Sequence, residues 1–511
     1  MDAHRAVAKG YLPKEVPPVF SSATFAHAAF ALTQTRPTGE SGSAKFSLAR
    51  AGGLRRPAAL PSPFAHLELV DLCAYNWKRL RSLTARSPIS SSRPLRARHR
   101  DLRSLRFSGG NDRFDRLRRT QGARYTLHTD VSDFYPSIYT HAVDWAIRGK
   151  KAAKRDRSAR SLGAKIDRAL RNQSYGQTSG ICIGPDTSWL IGEILMARID
   201  QELCRRVARV AEHAHRWYDD LTFFATSLGE AESALGEYER VLAEYELSLN
   251  PSKTSITSGI RLHDNRWLIS LRQARYRDDS QANLAGDIID LFTMAFEIAS
   301  SDSSTGAISY AIKRCNPFPA GAAWPTYQHL LLTSAALEPS CLPYVHDVLL
   351  FAESVGLPLD RDGIQREMNE ICRKHAELDH GFEVTWALTI LRQLDLPLDP
   401  ASATKVTGMT DNFALLLLLD AWRASFALMA AVDVDPAIRR AEAPGAFETE
   451  DWLLAYEARA RRWCRSAGWT RAPAWRELRD AKVRFLTLTV SKRRPKLRRL
   501  RPAFLPIWPY T

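Results

Sequence analysis

A pair of adjacent aspartates between two strand-like runs is the feature that most constrains this chain. In HAHRWYDDLTFFATS (213–227), Asp219 and Asp220 have apolar and aromatic residues on both sides. This pattern predicts a β-hairpin with a tight acidic turn. Either the aspartates simply favour the turn, as Asp commonly does, or the turn holds a divalent metal ion. The choice between these interpretations depends on whether further carboxylates lie elsewhere in the chain.

Two other segments offer partners for this turn. Asp130 follows the strand-like run YTLHT, and Asp133 lies three residues later in TDVSDFYPSI. Taken alone, Asp130 could be a turn residue that ends a strand, and Asp133 could begin a helix. In QTSGICIGPDTS, Gly180 and Gly184 precede a predicted helix, and glycine there lets a backbone lie against a flat ligand.

The composition is that of a globular chain. The 511 residues suffice for two or three domains, and no apolar run is long enough to span a bilayer. The N-terminal sequence lacks an apolar signal core, so we expect a cytoplasmic protein. The seven cysteines form no C-x-x-C pair, which argues against a zinc site or a disulfide framework.

The charge balance favours a polyanionic partner. The net charge is +16, and a basic surface of this size favours nucleic acid before membrane. Arginine-rich runs occupy 91–106, 115–120, 149–160 and 491–501. Any one run could be a solvated face, whereas four of them together predict an electrostatic groove.

The order of predicted elements divides the chain into three regions. Residues 1–120 form an N-terminal region, and strand, helix, hairpin, helix and strand follow one another over 121–275, which predicts an α+β layer. From 276 to 511, segments such as NLAGDIIDLFTMAFEIAS repeat apolar residues at helical spacing. We therefore expect an all-helical C-terminal domain there, in which helix pairs could stack as a repeat.

Taken in order, these segments resemble the motifs of the reverse transcriptase palm. TDVSDFYPSI is similar to motif A, GICIGPDTS to motif B, WYDDLTFF to motif C and SLNPSKT to motif D. The resemblance implies a fingers-palm fold with an antiparallel palm sheet and helices, and RNA-directed DNA polymerase activity. The segments FYPSIYTHAVDWAIRGK and IGPDTS, together with the helical C-terminal half, resemble the bacterial defence-associated, abortive-infection branch of the reverse transcriptases.

The resemblance also assigns a metal site. Asp130 and Asp219 would bridge two Mg²⁺ ions, with Asp220 beside them and the Val131 carbonyl completing the shell. Two such ions activate the attacking hydroxyl and hold the triphosphate, and Mg²⁺ requires hard oxygen ligands; Mn²⁺ is a possible substitute. Lys253 could protonate or hold the leaving pyrophosphate, or it could be a solvated loop lysine.

Substrate contacts follow from the same resemblance. Tyr135 occupies the position where reverse transcriptases place a ring under the sugar, which would exclude a 2′-hydroxyl and select dNTPs. Asp133 would lie near the triphosphate if it does not simply begin a helix. Gly184 would let the backbone meet the nascent base pair, and Arg55 and Arg56 would grip the triphosphate from the fingers.

Three positions depart from the family pattern. Trp217 stands where Y-x-D-D has its tyrosine, Cys182 where proline is common, and Ile183 where many relatives have glutamine. None of these positions is a metal ligand, so we expect activity to survive. The way in which the primer end and template base are held is more open.

Several functions and partners remain open from the sequence. Binding to RNA, which could be a dedicated non-coding RNA, and to a DNA product is expected, and an oligomer is possible. One alternative is a protein-primed, template-independent nucleotidyltransferase, and another is an inactive RNA-binding scaffold. The helical half could be a buttress for the palm, or it could close a basic channel using its Arg-rich tail.

Overall fold

The computed structural model describes residues 1–487, apart from 34–35, 38, 99–102, 108–111, 157, 261–265, 278, 303–304, 316–317, 426–428 and 466–467. The Arg-rich tail at 491–501 therefore lies outside the described residues. Within the described part, no helix has both the length and the apolar character needed to cross a membrane.

The strands of the described chain all precede residue 259. They are β1 (Ser43–Ala49), β2 (Arg55–Pro61), β3 (Pro94–Arg96), β4 (Leu105–Phe107), β5 (Tyr125–Thr129), β6 (Ala214–Trp217), β7 (Asp220–Ala225) and β8 (Ser255–Ser258). β1 pairs with β2 and β3 with β4, both antiparallel. The other four form an antiparallel sheet in the order β6-β7-β5-β8, which confirms the predicted palm sheet.

Helices surround this sheet and make up the rest of the described chain. Up to the end of the sheet they are α1 (Ala3–Gly10), α2 (Ala23–Ala29), α3 (Pro63–Tyr75), α4 (Trp77–Thr84), α5 (Asp112–Arg119), α6 (Phe134–Ser137), α7 (Thr140–Arg148), α8 (Lys150–Arg155), α9 (Leu162–Arg171), α10 (Asp186–Arg206), α11 (Val210–His213) and α12 (Leu228–Glu244). After the sheet come α13 (Arg266–Gln273), α14 (Gln281–Ser301), α15 (Ala307–Arg314), α16 (Trp324–Leu337), α17 (Leu342–Ser354), α18 (Arg361–Ala376), α19 (Gly381–Gln393), α20 (Pro400–Val406), α21 (Asn412–Ala424), α22 (Asp435–Glu442), α23 (Trp452–Ala460) and α24 (Pro473–Asp480). The predicted helical C-terminal half is confirmed.

The sequence predicts one basic helix over 150–171, and this prediction is wrong in its extent, because the segment forms two helices, α8 and α9. Just after α8, Asp156 binds the Arg148 guanidinium, with 3.0 Å between Oδ2 and Nη1. Ser161 then starts α9, since its hydroxyl accepts a hydrogen bond from the Ala164 N–H at 3.0 Å and so caps the helix.

The helical half packs against the β1–β2 hairpin near the other end of the chain. The buried indole of Trp452 in α23 donates a hydrogen bond to the Leu60 carbonyl at 3.2 Å. The rings of Phe46 in β1 and Phe413 in α21 lie 4.9 Å apart. Helices beyond residue 275 share a core with this hairpin. The domain boundary near residue 275 stays a prediction.

A buried guanidinium joins the β6–β7 hairpin to α10. The Arg216 side chain has no solvent exposure, and its Nη2 lies 2.8 Å from Glu193 Oε1 and 2.8 Å from Asp200 Oδ2. The two acids are seven residues apart on α10 and therefore share one helix face. Arg216 also donates to the carbonyl of Tyr218, so the same side chain fixes the turn of the hairpin.

A serine-rich segment completes this network from the other side. Ser92 Oγ donates to Glu193 at 3.0 Å and accepts from the Tyr218 N–H at 2.8 Å, and Ser87 Oγ donates to Asp200 at 2.5 Å. Buried charges are stable only when they are paired and their remaining hydrogen-bonding capacity is satisfied. The turn between β6 and β7 is thus held by α10 and by residues 87–92 together.

We predict that Arg216→Met strongly destabilises the protein. The variant leaves Glu193 and Asp200 buried without a counter-charge, so the free energy of unfolding should fall by about 3–5 kcal/mol, measured by chemical denaturation. Arg240→Met is the matched control, because the Arg240–Glu237 pair is exposed and should contribute less than about 1 kcal/mol. Equal, small losses for both variants would mean that the buried network does not hold the hairpin.

Candidate active site

The turn between β6 and β7 carries the acidic pair. Trp217 pairs with Asp220 across the hairpin, so the two turn residues are Tyr218 and Asp219. Tyr218 has φ +54°, as a tight turn requires of one of its central residues. The predicted acidic hairpin is confirmed, with the difference that Asp220 is already the first residue of β7.

Asp130 lies at the same end of the sheet. β5 ends at Thr129, which pairs with Leu221 of β7, so Asp130 comes next to the turn. Asp130 and Asp219 line one cavity, whereas Asp220 is buried and is not among the residues that line it. The structure therefore brings two of the three predicted aspartates into one cavity, and the metal-ligand role of Asp220 stays a prediction.

The electrostatics of this pair favour a bound cation. Burial and the negative charge of Asp130 raise the pKa of Asp219 to about 7, because adjacent carboxylates resist ionising together. Asp130 is 1% exposed, and its Oδ1 is buried without a hydrogen-bond partner in the described part of the chain. Two carboxylates with an unpartnered oxygen form the hard-oxygen donor set that Mg²⁺ prefers, so these residues fit a divalent metal ion.

Lys253 already places a positive charge on this site. Its Nζ lies 2.5 Å from Asp130 Oδ2, and its side chain is 41% exposed. The lysine is held there by the backbone, since the Asn250 N–H donates to the Asp130 carbonyl at 2.8 Å. Lys253 is therefore not a merely solvated loop lysine, and its role toward pyrophosphate stays a prediction.

The wall of the cavity around the aspartates is basic. The cavity has a volume of about 320 Å³. Besides Lys253, the cationic side chains that line it are those of Lys14, Arg50, Arg55, Arg56 and Arg103. A cavity with carboxylates on one side and cations on the other suits a metal-bound triphosphate, whose oxygens need both.

The two predicted triphosphate arginines differ in their partners. Arg55 binds Glu383 of α19, and its Nε donates to Ser47 Oγ at 3.0 Å. The positive charge of Arg56 acts on the aspartate pair, since it lowers the pKa of Asp219 against the stronger effects of burial and Asp130. Both line the cavity, and contact of either with a triphosphate stays a prediction.

Tyr135 and Asp133 also line the cavity. Burial and the charge of Asp219 raise the pKa of Tyr135, so its hydroxyl stays protonated. A Cβ at Gly192 of α10 would come within 3.4 Å of the Tyr135 ring and 3.0 Å of the Phe134 ring, which explains why a glycine lies there. Asp133 stands at the N-cap position of α6 with φ +40°, where its carbonyl accepts from the Ser137 N–H at 2.9 Å but its carboxylate makes no capping hydrogen bond; contact with a triphosphate stays a prediction.

Gly184 is needed for packing in this structure. Its φ is +134°, and a Cβ there would lie 2.6 Å from Pro13. Its carbonyl accepts from Arg103 Nη2 at 2.8 Å, while Arg103 Nε binds Asp186 at 2.8 Å. The sequence QTSGICIGPDTS offers the Asp186 carboxylate as a cap for α10; this prediction is wrong, because the carboxylate binds Arg103 and makes no capping hydrogen bond. Contact of Gly184 with a base pair stays a prediction.

The unusual Trp217 belongs to an aromatic cluster. It is 7% exposed, and its ring lies 4.8 Å from that of Phe107. The Phe107 ring is also 4.8 Å from Trp189 of α10 and 5.7 Å from Tyr218. Tryptophan thus serves here as a packing residue beside the turn, and it is not among the residues that line the acidic cavity.

Sequence reasoning missed several residues that build the site. Arg103 belongs to the Arg-rich run 91–106. This run indicates positive charge, but it does not indicate which residues Arg103 binds. Glu193 and Asp200 could have been found as two acids on the apolar face of one predicted helix. Nothing local distinguishes Lys14, because its position in the cavity depends on the tertiary fold.

Comparison with known proteins agrees with this geometry. Residues 69–284, which include the sheet and both aspartate segments, match the sequence model of the family described as reverse transcriptase (RNA-dependent DNA polymerase). The chain accordingly carries a reverse transcriptase domain and is an RNA-directed DNA polymerase, a nucleotidyltransferase. Such domains use divalent metal ions, a nucleic-acid template and dNTPs.

Two further comparisons add no functional detail. No curated protein matches the chain by sequence. Among solved structures, apo telomerase from Candida tropicalis is similar at 11% identity and a TM-score of 0.33, over 78% of this chain and 68% of that one.

Proposed function

We propose that this polymerase adds dNTPs at a two-Mg²⁺ site held by Asp130 and Asp219, with Asp220 and the Val131 carbonyl as further ligands. The observation that carries the proposal is the buried, unpartnered Asp130 Oδ1 beside the Asp219 carboxyl group. Magnesium bound there would activate the attacking hydroxyl and neutralise charge on the triphosphate. Mn²⁺ could serve as well, since it also favours oxygen ligands.

The protein's own cations would complete triphosphate binding. Arg56 and Lys14 line the cavity and would bind phosphate oxygens through charge-assisted hydrogen bonds. Lys253, whose Nζ lies 2.5 Å from Asp130 Oδ2, would turn from that carboxylate toward the leaving pyrophosphate when metal ions bind. A positive charge at that point stabilises the charge that develops on the leaving group.

The Tyr135 ring would select the sugar. It lies in the same cavity as Asp219, in front of the glycine of α10 that makes room for it. A ring in this position acts by collision with a 2′-hydroxyl, so dNTPs would be accepted and rNTPs excluded. This proposal disfavours an RNA polymerase.

The biological role that we propose is antiphage defence, on an RNA that could be a dedicated non-coding partner. Support comes from the residues in and around motifs A and B, which resemble the defence-associated branch, and from the helical C-terminal half. Priming on a protein hydroxyl is the second mode that this resemblance suggests. An inactive RNA-binding scaffold is disfavoured, because Asp130, Asp219 and Asp220 are all present.

We predict that Asp130→Asn and, separately, Asp219→Asn abolish polymerisation. Each change keeps the side-chain shape but removes a charged metal ligand, so dNTP incorporation on a primed RNA template should fall by about 1000-fold or more. Asp290→Asn, on the exposed face of α14, is the control and should retain full activity. Full incorporation by either folded site variant would overturn the metal-site proposal, and cells carrying Asp219→Asn should also lose phage protection.

We predict that Tyr135→Val relaxes sugar selection. Shrinking the ring removes the collision, so the ratio of kcat/KM for dNTP to that for rNTP should fall by at least about tenfold, with a smaller loss in dNTP turnover. Tyr139→Val serves as the control, because Tyr139 packs on Trp145 and does not line the cavity. If Tyr135→Val keeps the wild-type ratio of kcat/KM for dNTP to that for rNTP, Tyr135 is only a packing residue.

We predict that Lys253 contributes to turnover and not to metal binding. Lys253→Ala should lower kcat by about 100-fold, as expected for loss of a general acid, while Mg²⁺ affinity stays the same or rises. Lys253→Arg separates charge from proton donation, since arginine does not give up its proton. A Lys253→Ala variant with normal kcat, or with weakened Mg²⁺ binding, would contradict this role.

A further inference from the structure

Three metal-ligating side chains converge at the turn between α18 and α19, outside the acidic cavity. His375 lies in the last turn of α18, His380 directly precedes α19, and Glu383 lies in the first turn of α19. The Nδ1 atoms of the two imidazoles are 3.0 Å apart. They lie 3.7 Å and 3.8 Å from Glu383 Oε1.

These separations suit a small four-coordinate metal ion. Zinc binds nitrogen and oxygen at about 2.0–2.1 Å, so the ligand atoms of a tetrahedral site lie about 3.4 Å from one another. The three measured separations scatter around that value. All three ligands can therefore reach one ion with only small side-chain adjustments.

The Glu383 carboxylate gives a second and independent indication. The residue is 3% exposed, and its Oε2 is buried without a hydrogen-bond partner among the residues that the structure describes. Leaving a buried acceptor unsatisfied is unfavourable by about 1–3 kcal/mol. Arg55 binds Oε1, the oxygen from which the distances to the imidazoles are measured, so the carboxylate would bind an ion through its unpartnered Oε2.

The backbone holds these ligands in place. The His380 N–H donates to the His375 carbonyl at 3.0 Å. Between them Asp379 has φ +51°, and its carboxylate accepts from the Thr410 N–H at 2.8 Å. The turn that brings the two imidazoles together is thus fixed by α18, α19 and the segment before α21.

The donor set indicates the class of metal. Two imidazole nitrogens and one carboxylate oxygen suit Zn²⁺ and neighbouring late first-row ions, whereas Mg²⁺ prefers oxygen alone.

We propose that His375, His380 and Glu383 bind a zinc-class ion, with water as the fourth ligand. His380 is 24% exposed in its side chain, which leaves a solvent side for that water. Metal binding here does not depend on the proposed polymerase mechanism. Because Glu383 also binds Arg55 of β2, the ion would connect the helical half to a hairpin that lines the nucleotide cavity.

Cobalt titration of the full-length protein tests the site. The metal-free protein is titrated with Co²⁺ in saturating Mg²⁺, which occupies the aspartate site, and visible absorption is recorded. We expect one equivalent of Co²⁺ with the intense bands of a four-coordinate ion, displaced by Zn²⁺. His380→Ala should weaken binding at least about 100-fold, more than loss of an outer-shell partner does, while His329→Ala, an exposed histidine of α16, should bind normally.

Two additional measurements keep the test decisive. Zn²⁺ should raise the Tm of the wild type and of His329→Ala, because it binds the folded state, and should leave the Tm of His380→Ala unchanged. If His380→Ala does not fold, His380→Asp replaces it and should bind Co²⁺ with an altered spectrum.

Asp219→Asn should keep the Co²⁺ bands even though polymerisation fails. A wild type without the bands, or a folded His380→Ala with undiminished affinity, overturns the site.

Discussion

The buried ion pairs of Arg216 are the constraint on which the rest of the site depends. Asp130 and Asp219 are carboxyl groups held close together at the end of the sheet, and burial together with the charge of Asp130 raises the pKa of Asp219 to about 7. Such an arrangement persists only if the surrounding structure imposes it. Arg216 does so by tying the hairpin to Glu193 and Asp200 of α10 and by binding the turn carbonyl of Tyr218.

This network also explains why a charged cluster lies inside the protein. Replacing buried ion pairs with apolar residues is often neutral for stability, so such pairs are retained where position matters more than stability. Here each partner comes from a different element: β6, α10 and the serine segment before β3. Together they define the position of the turn relative to α10, which also carries the glycine behind Tyr135. The acidic turn and the cavity that Tyr135 lines are therefore positioned by the same helix.

Local chemistry made the hairpin, Asp130 and most of the helices predictable from the sequence. Alternating apolar residues, turn-forming aspartates and helical spacing act over a few residues, so they can be read without the fold. The partners of Arg216, Asp186 and Lys14 could not be found in this way, because ion pairs form between segments that are distant in sequence. The break between α8 and α9 was also missed, because no glycine or proline marks it in the sequence. The absence of paired cysteines said nothing about His375, His380 and Glu383, whose convergence requires a helix to end between the two histidines.

The helical half reaches the candidate active site through the β1–β2 hairpin. α19, α21 and α23 all contact this hairpin, and its residues Arg55 and Arg56 line the cavity that holds the aspartates. Glu383 of α19 binds Arg55, so this ion pair fastens the hairpin to the helical half and supplies the counter-charge that a buried carboxylate needs. If Arg55 binds a triphosphate as predicted, the phosphates would compete with Glu383 for its guanidinium. The helical half would then act on nucleotide binding as well as support the sheet.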